Sequence, residues 1–517
     1  MNPQWDWHDG IDLTIIALYL AGMVGIGLLL ARRTSHTEAF MAADRSLPGW
    51  AVGLSIFGTY VSSISFLANP GRAYATDWNF FVFGLSLPIA AWIATRFFVP
   101  FYRKLGAVSA YTHLEERFGV WARLYAVGCY LLTQVARVGT ILYLVALAVS
   151  PLLPGFQTWV LILVIGTLVT IYTLTGGIEA VIWTDVVQSL VLTVGMLICV
   201  GLLLTDIPGG PARIFDIAAK HEKFDLGDFG FAASVWPTFW VVLIFGLVTN
   251  LQNFGIDQSY VQRYATAESD RAAARSVWLG ALLYIPISAI LFFIGTALFA
   301  YYTAHPETLP MKDGQVIADQ VFPHFIGTRL AVGIRGVLIA AILAAAMSSV
   351  DSSLNSSATL VLCDLYRRFV RAEPSERASM SVLYASTVFW GVVGTLAALA
   401  MIQVESALKA WWQLAGIFGG GMLGLFLLGR WVPRAGSRAA LSGVSGGVAV
   451  ILWATLFHRE SWFWKLLERH FPVAAKEGWP AMLENPLPPL LTIVLGTLTI
   501  LSVGAVSAWV FPSSKRA

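Results

Sequence analysis

Four charged residues stand inside long apolar stretches and are the first candidates for chemistry. Arg137 lies in Gln134-Val135-Ala136-Arg137-Val138-Gly139 and Asp185 in Trp183-Thr184-Asp185-Val186-Val187-Gln188; Asp257 falls near the end of a third stretch and Asp351 inside a run of serines. Hydrocarbon tolerates charge poorly: even a lenient insertion scale puts Asp, Lys or Arg at a helix centre at about 2.5–3.5 kcal/mol. Each group therefore needs a partner or a task. For Arg137 and Asp185 the reading is a role toward a solute or an ion. For Asp257 it is pairing or helix capping, because Arg263 lies close along the chain.

The densest polar cluster is Ala345-Ala346-Met347-Ser348-Ser349-Val350-Asp351-Ser352-Ser353-Leu354-Asn355-Ser356-Ser357. On a helix Ser348, Asp351, Ser352 and Asn355 share one stripe, and Ala345, Ser349, Ser352 and Ser356 share its neighbour. Hydroxyl and carboxylate oxygens in a stripe suit a hard cation such as sodium. The competing account is close packing of small residues between membrane helices; it covers Ser356 and Ser357 and leaves Asp351 unexplained. Polar and glycine interruptions recur at Ser55-Ile56-Phe57-Gly58-Thr59-Tyr60-Val61-Ser62-Ser63 and around Gly246 and Asn250 to Gly255. Breaks of this kind free carbonyls to coordinate ions and solute near the midplane.

Other patterns carry no catalysis. Gly416-Ile417-Phe418-Gly419-Gly420-Gly421 satisfies the dinucleotide fingerprint only formally, for no strand precedes it and it sits in an apolar run. Close helix packing or a gating hinge is the better account. His113-Leu114-Glu115-Glu116 falls short of a zinc motif, and no triad or paired-carboxylate site stands out, so an enzyme is not expected.

The elements that must position these groups are membrane helices. Of the 517 residues 57% are hydrophobic and 12% charged, with a mean hydropathy of +0.71, against roughly 25% charged in soluble domains. A span needs about 20 apolar residues, and about thirteen such runs recur. They lie near 11–31, 48–68, 79–101, 124–150, 157–175, 178–205, 231–262, 275–300, 330–363, 380–403, 408–429, 437–457 and 488–511. The expectation is an all-α polytopic membrane protein whose single transmembrane domain occupies residues 1–517. Its N-terminal run reads as a first span and not as a cleaved signal. Positive residues cluster in alternate loops, among them Arg103, Lys104, Arg117, Arg123, Arg367, Arg368, Arg430 and Arg434, then Lys515 and Arg516. Those loops are expected inside, with the N-terminus outside and the C-terminus cytoplasmic. The three cysteines, Cys129, Cys199 and Cys363, read as buried thiols. A net charge of +3 without a basic, aromatic-laced block excludes nucleic acid as a partner. The interrupted second and seventh runs are five apart, and an odd offset gives an inverted repeat.

At these residues the chain resembles the sodium:solute symporter family, which includes sodium/glucose, sodium/proline, sodium/iodide and sodium/sialic acid cotransporters. The resemblance rests on Gly176-Gly177-Ile178-Glu179-Ala180-Val181-Ile182-Trp183-Thr184-Asp185, on Asp257-Gln258-Ser259-Tyr260-Val261-Gln262-Arg263-Tyr264 and on the Ala345 to Ser353 cluster. It implies a leucine-transporter fold: a 5+5 inverted-repeat core over roughly 48–430, with one helix before it and two after, near 437–457 and 488–511. It also implies one sodium held by carbonyls of Gly58, Val61 and Ala345 with the hydroxyls of Ser348 and Ser349. A second sodium would use Asp185, Ser348, Asp351 and Ser352. Relatives generally carry Ser or Thr where Asp351 stands, so the extra carboxylate would either tighten sodium or take up a proton.

The run Arg137-Val138-Gly139-Thr140 looks like the sialic acid transporters, where the matching arginine takes the substrate carboxylate, a geometry the guanidinium fork suits. Tyr60, Ser62 and Ser65 fall where those transporters place small hydroxyl residues, Tyr60 being bulkier, and Asp77 matches a solute-contacting position of sugar transporters. Sialic acid or a related sugar acid is favoured, ahead of neutral sugars and small monocarboxylates. Import by alternating access, one or two Na+ ions, a bacterial inner-membrane location and a monomer complete the expectation. An ion channel would need a symmetric filter loop, and a membrane sensor an attached domain; neither is read in the sequence.

Overall fold

The computed structural model describes residues 7–32, 34–150, 155–207, 209–230, 237–305, 309, 311–312, 315–404, 407–459, 461–470 and 482–511. Lys515 and Arg516 therefore lie outside the described residues. Among those described, structure is helical apart from a hairpin of two-residue strands, Met311–Lys312 against Gln315–Val316. Eleven helices are long and apolar enough to cross a membrane, or twelve if one bent pair is a single span. Reaching the expected thirteen would also require Thr158–Leu174, a shorter apolar helix, to count as a span.

The bent pair is α2 (Gly49–Tyr60) and α3 (Ser63–Ala75), which meet at 53°, after α1 (Trp7–Ala31). Val61, at φ −90° and ψ 78°, and Ser62, in extended conformation, interrupt the ladder. Serine hydroxyls compete with helical bonding here, so the last carbonyls of α2 lose their usual partners. Further along are α4 (Val120–Val149) and α5 (Thr158–Asp206). The latter turns at Gly177 (φ 57°), where a Cβ would come within 2.8 Å of the Phe40 backbone.

The second interruption lies later than the sequence suggests. α6 (Phe239–Ile256) runs unbroken through Gly246 and Asn250, and the break falls at Asp257, which caps α7 (Gln258–Thr266) by accepting the Ser259 N–H. Gly246 serves close approach instead: a Cβ there would meet the Phe83 backbone at 2.9 Å. α8 (Asp270–Ala304) packs on α2 and α3 by the same device, since a Cβ on Gly53 would stand 2.9 Å from Leu279 Cβ.

α9 (Ile334–Leu360) carries the Ser/Asp stripe, and 94% of its span window is buried, against 11% for α1. A helix enclosed all round can hold polar groups because neighbours, and not lipid, surround them. Asp12 of α1 accepts from the N–H groups of Gly333 and Gly336 and from Arg335 Nε, capping α9 from outside. α10 (Ala407–Gly419) and α11 (Met422–Trp431) part at Gly420 and Gly421. α12 (Ser437–Leu456) and α13 (Leu491–Val510) pack together through glycines such as Gly443, whose Cβ would meet Ile500 O at 2.7 Å. Breaks at Val61–Ser62 in the first half and at Asp257 in the second, with one helix before and two after, are the arrangement expected of a 5+5 inverted-repeat core.

Candidate solute and cation site

At the break in the second span, α2 meets α9 through oxygen atoms. The Ser348 hydroxyl donates to the carbonyls of Gly58 (3.0 Å) and Ala345 (3.2 Å). Beside it Ser349 Oγ is buried without a hydrogen-bond partner, and the fully buried Val61 ends α2. An orphaned buried hydroxyl is costly unless something else uses it. Every donor here is a neutral oxygen, the chemistry a sodium ion requires. The Ser348 hydroxyl and the Gly58 and Ala345 carbonyls thus lie within hydrogen-bond reach of one another, with Ser349 next along α9.

Around Asp185 the sequence reading missed the main actor. Arg263 was expected near Asp257; instead its guanidinium, fully buried, reaches Asp185 Oδ2 at 3.0 Å and Ser352 Oγ at 2.7 Å. Its Nε donates to Ser55 Oγ (2.8 Å), which in turn donates to Asp185 Oδ2 at 2.5 Å. Its proximity to Asp257 along the chain misled because α7 carries Arg263 one and a half turns past the cap, onto the face toward α2 and α9. Asp351 is engaged elsewhere: Tyr172 OH donates to its Oδ2 at 2.7 Å, and its Oδ1 accepts the Ser352 N–H at 2.6 Å. Asp185 Oδ1 is buried with no hydrogen-bond partner among the described residues.

A cavity of about 220 Å³ opens beside the break. Of the expected solute contacts, Tyr60, Ser62, Ser65 and Arg137 line it. Arg137 Nη2 donates to the Thr59 carbonyl at 2.8 Å, an oxygen that the break leaves available. Tyr60 packs its ring 5.0 Å from Tyr260 and 5.6 Å from Phe254 and Tyr284, filling one end of the space. Asp77 stands apart from the lining; its carboxylate accepts the Asn79 N–H at 2.9 Å and so starts the third span. Residues not singled out from the sequence complete the wall: Gln134 Nε2, Thr249 Oγ1 and Gln252 Oε1 face it buried and unpartnered, and Asp257 also lines it. Above them Phe80 and Trp412 stack at 5.1 Å, with the Arg72 guanidinium 3.2 Å over Phe80.

Comparison with known proteins follows the geometry. Residues 40–447 match the model of the sodium:solute symporter family. The sodium/sialic acid symporter SiaT of Proteus mirabilis (strain HI4320) is 37% identical over 86% of this chain and 89% of its own length. The sodium/sialic acid symporter NanT of Aliivibrio fischeri (strain ATCC 700601 / ES114) is 35% identical over 85% and 87%. A solved structure of a Na+-coupled sialic acid symporter, substrate-bound and outward-open, superposes with a TM-score of 0.86 at 33% identity, covering 98% of this chain and 99% of that one. The chain belongs to the sodium:solute symporter family, and it is a sodium-coupled membrane transporter and not an enzyme.

Proposed function

We propose that the protein imports sialic acid or a related sugar acid together with sodium, by alternating access. The observation that supports this solute class is Arg137: a guanidinium lining the cavity, tied to the break by its bond to the Thr59 carbonyl, with Tyr260 and Asp257 beside it in the same wall. The two relatives named for sodium/sialic acid symport point the same way. In this reading Arg137 takes the carboxylate, Ser62, Ser65, Gln134 and Gln252 meet hydroxyl and amide groups, and Gly58, Val61, Ala345, Ser348 and Ser349 hold sodium. Sodium bound there would bridge the broken span to α9 and favour the outward-open arrangement, so that solute binds before the core rocks inward. Asp185, Asp351 and Ser352 form a candidate second cation site with Arg263 inside it. The transport unit is the single domain, its core at roughly 48–430, with the N-terminus outside and Arg-rich loops inside a bacterial cell membrane.

One observation favours a smaller solute: the Tyr60 ring occupies volume that a small hydroxyl residue would leave open. A short monocarboxylate keeps the Arg137 contact and needs less room. Proteoliposome uptake under an imposed sodium gradient separates these readings. Labelled N-acetylneuraminic acid should accumulate and be competed by its own excess. Uptake indifferent to sodium would remove the ion assignment, and competition by lactate or glucose alone would remove the sugar acid.

A further inference from the structure

We propose that a cationic groove on the Arg-rich side of the membrane domain, apart from the transport site, binds the headgroup of an anionic phospholipid. The groove encloses about 700 Å³, and its polar wall is Arg96, Lys104, Arg117, Arg430 and His113. No Asp or Glu lines it among the described residues. Arg117 is held in place: its Nε donates to the Gly429 carbonyl (3.1 Å) and its Nη2 to Val432 (3.2 Å) and Pro433 (3.1 Å), at the C-terminal end of α11. Arg96, Lys104 and Arg430 are exposed, and none forms an ion pair among the described residues.

Cations gathered at one place raise a positive field, which adds to burial in acting on His113. Burial, then the charges of Arg117 and Arg430, push its imidazole down to about 4, so it remains neutral at physiological pH. Its Nε2 is buried without a hydrogen-bond partner.

The shape of the groove favours a lipid over a soluble anion. Arg96 and Phe97, in a π-helical turn at Ala94–Phe98 on the third span, both line the groove. Phe97, and Trp92 before it, are 53% and 58% exposed, which on a membrane span means exposed to acyl chains. A phosphate between Arg96, Lys104, Arg117 and Arg430 would leave its two chains on that apolar wall. Basic pockets between spans on the cytoplasmic side are suited to anionic headgroups, and the groove lies among the loops where this chain concentrates its arginines.

The test uses the full chain in detergent, with melting temperature and native mass spectrometry read during titration with dioleoylphosphatidylglycerol or dioleoylphosphatidylcholine. Phosphatidylglycerol should raise the melting temperature and remain bound, whereas phosphatidylcholine should do neither. Each Lys or Arg near an anionic surface is worth roughly fivefold in affinity, so Arg96→Gln with Lys104→Gln should weaken phosphatidylglycerol by about twenty-five-fold. Arg434→Gln, which removes a cation from the same side but outside the groove, should leave it unchanged. Should the double variant melt lower before any lipid is added, Arg96→Lys with Lys104→Arg separates charge from fold by retaining the affinity. Equal binding of both lipids, wild-type affinity in the double glutamine variant, or displacement by inorganic phosphate at matching concentration would overturn the proposal.

Discussion

At the scale of single residues, the site turns on which polar atoms lack partners. Ser349 Oγ has none and the Ser348 hydroxyl bridges two carbonyls, so removing both hydroxyls should leave the fold standing and weaken sodium. Ser348→Ala with Ser349→Ala is expected to raise the sodium concentration at half-maximal uptake by at least about tenfold, given 1.5–3 kcal/mol for contacts to a charge. A sodium titration of uptake checks it, and an unchanged midpoint would move the ion elsewhere. Arg263 differs in kind. Deleting it strands Asp185 in the protein interior, a loss of about 3–5 kcal/mol for a buried pair. Arg263→Ala should therefore express poorly or melt early, and Asp185→Asn in the same chain should recover much of the stability. His113 gives a pH signature. Its folded-state value, about 4, lies below the unfolded 6.5, so protonation favours the unfolded chain. Stability is unaffected above pH 6.5 and falls as pH drops toward 4. His113→Gln should flatten that part of a melting-temperature profile, and a profile parallel to the wild type would refute the shift.

Between residues and molecule stand the helices, where sequence reading succeeded unevenly for physical reasons. The break at Val61 and Ser62 was legible because a serine run inside an apolar span has no other cheap explanation, and Ser348, Asp351 and Ser352 were legible because hydrocarbon would reject them. The second break was misplaced. Glycine at 246 looked like a breaker, yet it is the thin side of α6 against Phe83 and Ser86, while the break belongs to Asp257, a helix cap. Glycine marks both hinges and close approaches, and only the neighbour's position tells them apart. The two roles predict opposite outcomes for Gly246→Ala. Where approach matters, the added methyl meets the Phe83 carbonyl at 2.9 Å and costs about 1–3 kcal/mol. Were the position a helical hinge, alanine would stabilise it by up to about 1 kcal/mol. A thermal melt should show the loss. The partners of Asp185 and Asp351 were illegible for a related reason: Arg263 and Tyr172 lie 78 and 179 residues away, and no periodicity links positions so distant.

For the whole molecule the decisive quantity is the charge carried per cycle. Asp185 and Arg263 pair directly and Asp351 joins them only through Ser352, so that two buried carboxylates stand near one guanidinium. Arg137 and Asp257 in the cavity balance each other. These five groups therefore hold one carboxylate more than their fixed cations offset, in surroundings where an uncompensated charge is expensive, so that Asp351 calls for a mobile cation or a proton of its own. A second mobile cation, bound besides the sodium proposed at Ser348 and Ser349, would remove the imbalance, as would a proton resident on Asp351. With a monoanionic solute, one sodium alone would make transport electroneutral and blind to membrane potential. Two cations move one net positive charge inward, worth about 2.3 kcal/mol per 100 mV, or roughly a fiftyfold gain in accumulation. Uptake into proteoliposomes at a fixed sodium gradient should thus rise steeply when a potassium diffusion potential makes the interior negative. Asp351→Asn removes the excess carboxylate and should blunt that response while sodium dependence persists through the Ser348 site. Wild-type uptake indifferent to the imposed potential would mean that Asp351 keeps a resident proton and that a single sodium drives the cycle.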